Sequence, residues 1–427
     1  MPAADKSRPL RICLLSYRSN PHCGGQGVYV RNLSYGLSRL GHQVEVVSGP
    51  PDPQLRDGVK LTHLPCLDLY NPDNMFRMPS ARELSRPINL MEWLGVSTMG
   101  FPEPFTFGLR AYGFLRSKLR QYDIIHDNQC LSYGIWALGR LAPTVATIHH
   151  PITRDLEIAL QSTRSPLVRL KHRRWYSFLG MQKRVSRSFR RIITVSECAR
   201  NDISTDFCIP RNRFAVVPNG INTELFYPIP EIEREKHRII VTNSADTPLK
   251  GLYHLLRAVA KISAARPVGL TVIGQPKENG GVERLIAELG IGRLVRFTGR
   301  VSNEEFVREY ARSTVAVVPS LYEGFGLPAG EAMACGIPVI STSGGALPEV
   351  VGQAGLIVPP KDPDALAAAI VRIFDNPELA RELGQRGYQR VHRHFTWEKA
   401  AEQTVSVYQE VIRDYRRLQP AEHQARF

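Results

Sequence analysis

The sequence predicts an α/β protein built as two doubly wound domains in tandem. Three observations carry this. Short apolar runs of strand length alternate with helix-like periodicity through the first half. That rhythm stops in a Pro/Gly/Asn-rich stretch and restarts at Arg238. The chain has 427 residues, more than one hydrophobic core usually organises.

The elements follow in order. Residues 10–15 read as a first buried strand, which runs into Gly24-Gly25-Gln26-Gly27. Residues 28–40 then carry a helical period and stop at Gly41. Further strands are expected at 44–47, 123–125, 144–148 and 192–195. Residues 67–121 break the pattern; rich in Pro, Met and aromatic residues, they read as an insertion with short helices. Val217-Pro218-Asn219-Gly220-Ile221-Asn222, with Pro228 and Pro230 beyond, is the expected linker. Strands follow at 239–242, 270–273, 295–298, 315–319, 338–341 and 356–358, with helices at 252–264 and 365–374 and an amphipathic tail helix at 397–417. The expected domains are therefore 1–217 and 218–396, with 397–427 a closing helix that packs back on the first domain. Parallel sheets of this kind take ligands beyond the carboxyl ends of their strands, so a cleft between the two domains is the expected site.

Composition narrows the function classes. Hydrophobic residues make up 43% of the chain, as in a folded globular protein. No run approaches the roughly 18 apolar residues of a spanning helix, and residues 1–9 do not read as a signal peptide. The seven cysteines are scattered with no Cys-x-x-Cys, which reads as reduced thiols in a cytoplasmic protein. The net charge of +15 bears on partners, not on fold. Residues 158–196 hold no acid but contain Arg164, Arg169, Lys171, Arg173, Arg174, Lys183, Arg184, Arg187, Arg190 and Arg191, interleaved with Trp175, Phe178, Leu179 and Met181. They read either as a solvated basic face or as a surface for an anionic membrane, which would make the protein peripheral. Nothing resembles a base-reading module, so no nucleic-acid partner is expected.

The sharpest chemical signal is Glu323-Gly324-Phe325-Gly326-Leu327-Pro328-Ala329-Gly330-Glu331, directly after the strand at 315–319. Pro328 suits the first turn of a helix, where a missing N–H costs nothing. A helix start beside glycines offers backbone N–H groups and a partial positive charge to a diphosphate. Two flanking carboxylates, Glu323 and Glu331, can accept hydrogen bonds from sugar hydroxyls, and an acid in the first turn also gains from the helix dipole. By spacing alone, a plain turn and a well-placed helix acid would explain the same residues.

This block resembles the Glu-x7-Glu signature of retaining glycosyltransferases of the GT-B fold, family 4 (group 1 type). It runs from Ser320 through Glu331 to Ala332-Met333-Ala334-Cys335-Gly336-Ile337-Pro338. Other pieces fall in the family's order: Gly24-Gly25-Gln26-Gly27, His149 after the 144–148 strand, Pro218-Asn219-Gly220-Ile221, and Lys250-Gly251. The resemblance implies two Rossmann-like domains facing each other across a cleft, and transfer of a hexose from a UDP- or GDP-linked sugar to an acceptor hydroxyl of a glycan or glycolipid. It implies that Glu323 holds sugar hydroxyls, that Phe325, Gly326 and Leu327 meet the sugar and diphosphate through their backbone, and that Glu331 binds the ribose. Lys250 would neutralise the departing diphosphate, His149 would stand by the anomeric carbon, and Gly25 and Gly27 would close near diphosphate and acceptor. The family's Arg, five or six residues before the Lys, is here Ala245 or Ser244; Arg18 is a candidate substitute.

Weaker signals remain open in the residues themselves. Gly25-x-Gly27 lacks the third glycine of a dinucleotide fingerprint, which argues against a dehydrogenase and leaves a tight turn or a ligand loop. His126 and Asp127 are candidate acceptor-side residues at a strand end. His149 and His150 have no third ligand at metal spacing and no Asp-x-Asp metal motif is evident, so no cofactor and no metal are expected. The rival readings are a GT-B phosphorylase or epimerase, and a degenerate nucleotide-sugar-binding protein.

Overall fold

The computed structural model describes residues 8–19, 25–71, 74, 77–242 and 248–418. The chain divides into two compact units. The first takes the chain up to Val195, Ala199–Val217, and the end from Ala400; the second takes Ser196–Cys198 and Pro218–Lys399.

The first unit holds a seven-stranded sheet of β1 (Arg11–Ser16), β2 (Gln43–Ser48), β3 (Lys60–His63), β4 (Ile124–Asn128), β5 (Thr144–Ile148), β6 (Ile192–Thr194) and β7 (Phe214–Val216). Its spatial order is β3-β2-β1-β4-β5-β6-β7, and every pair is parallel. Cys13, Leu15, Ile125, Ala146 and Ile192 face a core shared with Phe107, Ile135, Val185 and Ile203 from the covering helices. The second unit repeats the plan with β8 (Arg238–Thr242), β9 (Gly269–Ile273), β10 (Val295–Phe297), β11 (Val315–Val318), β12 (Val339–Thr342) and β13 (Gly355–Val358), in the order β10-β9-β8-β11-β12-β13. In each sheet the winding reverses beside the unit's first strand, between β1 and β4 and between β8 and β11. That reversal splays the connections apart and opens a crevice at the strand carboxyl ends.

Local sequence accounts for these elements. The helix Leu252–Ser263 buries Leu252, Leu255, Leu256, Val259 and Ile262, the stripe of a helix lying on a sheet. Ser302 and Asp362 cap their helices by accepting from Glu305 and Ala365 N–H. Two strands lacked a signal. β3 is a largely exposed edge strand without apolar alternation, and β7 has only three residues. The 67–121 region contains the helices Ala81–Leu84, Pro87–Ser97 and Glu103–Leu115. The tail helix Trp397–Leu418 sends Tyr408 into the first unit, where its hydroxyl meets His126 at 2.6 Å. The six described cysteines form no disulfide with one another. Among the described residues, no helix is long and apolar enough to cross a membrane.

Candidate active site

In the second unit, three loops knit together at the carboxyl ends of β8, β11 and β12. Gly251 sits at φ +69°, and a side chain there would collide with the Pro319 carbonyl oxygen, so only glycine lets the Lys250 turn abut the end of β11. Leu321 N–H donates to the Leu249 carbonyl at 2.8 Å, and Ala346 N–H donates to the Glu323 carbonyl at 2.9 Å. Thr342 Oγ1 donates to the Ser320 carbonyl. These ties bring Lys250 Nζ to 2.7 Å from Glu323 Oε1, which also accepts from Ser320 Oγ at 2.7 Å. The ammonium and carboxylate are only partly covered, so both remain able to exchange partners.

Five residues after Gly326, the same loop delivers Glu331. Gly326 adopts φ +104° at the N-cap of the helix Leu327–Ala334, no side chain caps that end, and Pro328 lies in its first turn. Pro328 has no N–H, and Ala329 and Gly330 N–H donate to the Gly326 carbonyl at 3.1 and 3.3 Å, so the helix start offers a ligand the Leu327 N–H and its partial positive charge. Burial pushes the Glu331 carboxyl up to about 7, against the opposing pull of Lys250. Phe325 turns its ring into the core, edge-on to Phe395 at 5.6 Å, which leaves only its backbone toward a ligand. Leu327 opens the helix.

The first unit holds a different arrangement. The His149 N–H donates to Gln129 Oε1 at 2.8 Å, and Gln129 Nε2 donates to the His150 carbonyl at 3.0 Å. His149 Nε2 lies 2.7 Å from Asn128 Oδ1, and its ring stands edge-on to Tyr29 at 4.6 Å. Burial, with His150 and His126 nearby, pushes the imidazole down to about 3, so it is neutral at ordinary pH. Asn128 and Gln129 were missed in the sequence. Gln129 and Leu131 both hold positive φ, a strained turn whose only sequence sign is its place after a strand.

His126 and Asp127 do not lie at an open strand end. The expected strand stopped at 125, but β4 continues to Asn128 and pairs Leu14 with His126 and Leu15 with Asp127. Both residues have no exposed surface. His126 is spanned by the Tyr408 hydroxyl and Thr147 Oγ1, each at 2.6 Å, and burial pushes its imidazole down to about 3. Asp127 Oδ2 accepts from Leu131 N–H at 2.8 Å, and burial raises its carboxyl to about 7. They brace the strand end that carries the Asn128–Gln129 turn. Arg18 is likewise engaged, donating to Glu103 Oε1 and Oε2 at 3.0 Å. Gly25 and Gly27 begin the helix Gly25–Arg39, the first exposed and the second buried. Gly24, Ser244 and Ala245 lie outside the described residues.

The description Glycosyltransferase Family 4 matches residues 23–225, and Glycosyl transferases group 1 matches residues 228–390. A MMP alpha-(1->4)-mannosyltransferase of Mycolicibacterium hassiacum is 48% identical over 94% of this chain and 98% of its own. The chain belongs to the family 4, group 1 glycosyltransferases. A D-inositol 3-phosphate glycosyltransferase of Streptomyces bingchenggensis is 28% identical over 96% of this glycosyltransferase and 91% of its own length. Among solved structures, sucrose-phosphate synthase from Thermosynechococcus elongatus covers 95% of the chain and 100% of its own, at TM-score 0.72 and 26% identity. Anabaena Alr3699/HepE, solved with UDP and glucose, matches in fold alone at TM-score 0.67 and 16% identity, over 94% of this chain and all of its own. The fold of this glycosyltransferase is GT-B, with two Rossmann-like units.

Proposed function

We propose that this glycosyltransferase moves a hexose, in first place mannose, from a UDP- or GDP-linked donor to a carbohydrate hydroxyl with retention at the anomeric carbon. The single observation that carries the donor reading is the Lys250–Glu323 pair beside an uncapped helix start followed by Glu331. In this reading Lys250 leaves Glu323 for the diphosphate, joining the Leu327 N–H and the positive end of the helix Leu327–Ala334 to stabilise the charge that grows on the leaving group. Glu323, freed, accepts from sugar hydroxyls, and Glu331 from the ribose. His149, neutral and with its Nε2–H given to Asn128 Oδ1, accepts one hydrogen bond from a hydroxyl of the reacting sugar at Nδ1 without adding charge. The bond from C1 to the diphosphate oxygen breaks, the bond from C1 to the acceptor oxygen forms on the same face, and the acceptor proton passes to a diphosphate oxygen.

The mannosyl and retaining parts rest on the 48% identical relative, whose name specifies an α-(1→4)-mannosyl product. Nucleotide diphosphate mannose carries its sugar as the α anomer, so an α product means retention. Incubating the protein with GDP-mannose, UDP-glucose and GDP-glucose plus α-(1→4)-mannobiose, and reading the new anomeric signal by NMR, tests this directly. A β-linked product, or turnover of none of the donors, overturns it. Metal and cofactor independence belong to the same reading, checked by full turnover after EDTA treatment.

A cytoplasmic, membrane-peripheral place of action is a companion proposal. It is supported by the helix Pro166–Trp175, which buries none of its residues and exposes Leu167 and Leu170 among Arg169, Lys171 and Arg173. Sedimentation with phosphatidylglycerol-rich vesicles, abolished by Leu167→Asp with Leu170→Asp, is the expected result.

A further inference from the structure

The first unit contains a second constellation that the donor chemistry leaves unused. Tyr17 and Arg18 immediately follow β1. The Arg18 guanidinium grips Glu103, the first residue of the helix Glu103–Leu115, and donates to the Tyr70 carbonyl at 3.3 Å. Four aromatic rings gather beside this pair. Phe101 stacks on Trp175 at 5.2 Å and 23°, Tyr70 meets Phe101 and Trp175 at 5.4 Å each, and Tyr17 meets Phe101 at 6.3 Å. The Tyr17 hydroxyl hydrogen-bonds Gln26, between the two glycines at the start of the helix Gly25–Arg39.

As a mere packing cluster this would be costly. A carboxylate is buried among rings, where desolvation pushes Glu103 up to about 7 against the pull of Arg18. The outermost ring, Trp175, remains 36% exposed on a helix that buries none of its residues. A pyranose ring suits the combination. Its face of C–H groups is apolar and weakly positive, which favours the negative face of an aromatic ring. Its hydroxyl rim needs donors and acceptors side by side, which a guanidinium–carboxylate pair supplies. The constellation also stands at the carboxyl end of β1, at the point where the winding of the sheet reverses.

The geometry points to a subsite for a pyranose ring of the acceptor, with Trp175 and Phe101 as its stacking wall and Arg18–Glu103 as its polar edge. The proposal rests on the reading that a hexose is transferred to a carbohydrate hydroxyl. Its test uses α-(1→4)-mannobiose as the probe in two measurements. The first is transfer from GDP-mannose, with acceptor and donor KM determined separately. The second is tryptophan fluorescence titrated with mannobiose alone. Trp175→Ala raises the acceptor KM by about tenfold or more and moves the donor KM by less than about twofold, while Trp175→Phe keeps a stacking face and restores most of the loss. Glu103→Gln raises the acceptor KM with the wall intact. If Trp175→Ala fails to fold, Trp175→Leu, apolar but ringless, takes its place. An unchanged acceptor KM in the ringless variants overturns the subsite. Should the wild-type protein turn over none of GDP-mannose, UDP-glucose and GDP-glucose, the function reading fails separately and the titration still decides. Saturable quenching lost in Trp175→Ala upholds the subsite, and absence of saturable quenching in the wild type overturns it.

Discussion

The two units share one winding order, and both gather polar residues at the carboxyl edge beside the reversal point, yet the two edges differ in kind. The edge of the second unit is charged and loosely committed: Lys250 and Glu323 neutralise each other while partly open, and Glu331 is poised near neutrality. The edge of the first unit is buried and mostly committed, with only Asp127 Oδ1 and Asn128 Nδ2 among the buried side-chain polar atoms of residues 126–129 left without a partner among the described residues. His126 bonds the Tyr408 and Thr147 hydroxyls, Asp127 and Gln129 bond backbone groups, Asn128 bonds the His149 ring, and His149 is the one candidate among them left partly exposed. A parallel α/β sheet fixes where a ligand goes, but not whether the edge meets it with charge or with shape. The charged edge suits an anion whose charge grows during reaction; the buried edge suits a sugar that must be oriented.

That contrast can be broken in order of effect. Lys250→Ala and Glu323→Ala should each lower kcat by about a hundred- to a thousandfold, the usual loss when one preorganised charge-stabilising group is removed. Product formation by the variants checks this, and near-wild-type turnover would show the charged edge to be structural. His126→Ala removes a fully buried, doubly bonded ring and should cost about 2–4 kcal/mol in urea unfolding. If it instead raised the acceptor KM with stability intact, His126 would belong to the acceptor site after all.

The smallest expected effect concerns pH. The Glu331 carboxyl is raised, so the empty folded protein holds a proton that the unfolded chain has already lost. Stability therefore falls as pH rises from the ordinary carboxyl range to about 7. On the proposed reading, ribose hydroxyls would donate to the ionised form, so donor binding would release that proton. Donor affinity should then improve by about three- to tenfold between about pH 6 and pH 8, with Glu331→Gln abolishing the slope. His149, titrating near 3, should add no inflection in that window.

The sequence alone determined the two α/β units, most strand positions and the Glu323–Glu331 loop. Alternating apolar periods, a proline in a first helical turn and glycines forced to positive φ are local properties, written in neighbouring residues. Where local signal was thin, reading failed: β3 is an exposed edge and β7 too short. Only the tertiary structure decided which polar residues face outward. It extended β4 by three residues past the expected end at 125, which turned His126 and Asp127 from candidate contacts into braces. It also brought the neighbours Phe101 and Glu103, and Trp175 from a third stretch of chain, to Arg18. Burial and long-range pairing come from contacts between distant segments, and no window of sequence contains them.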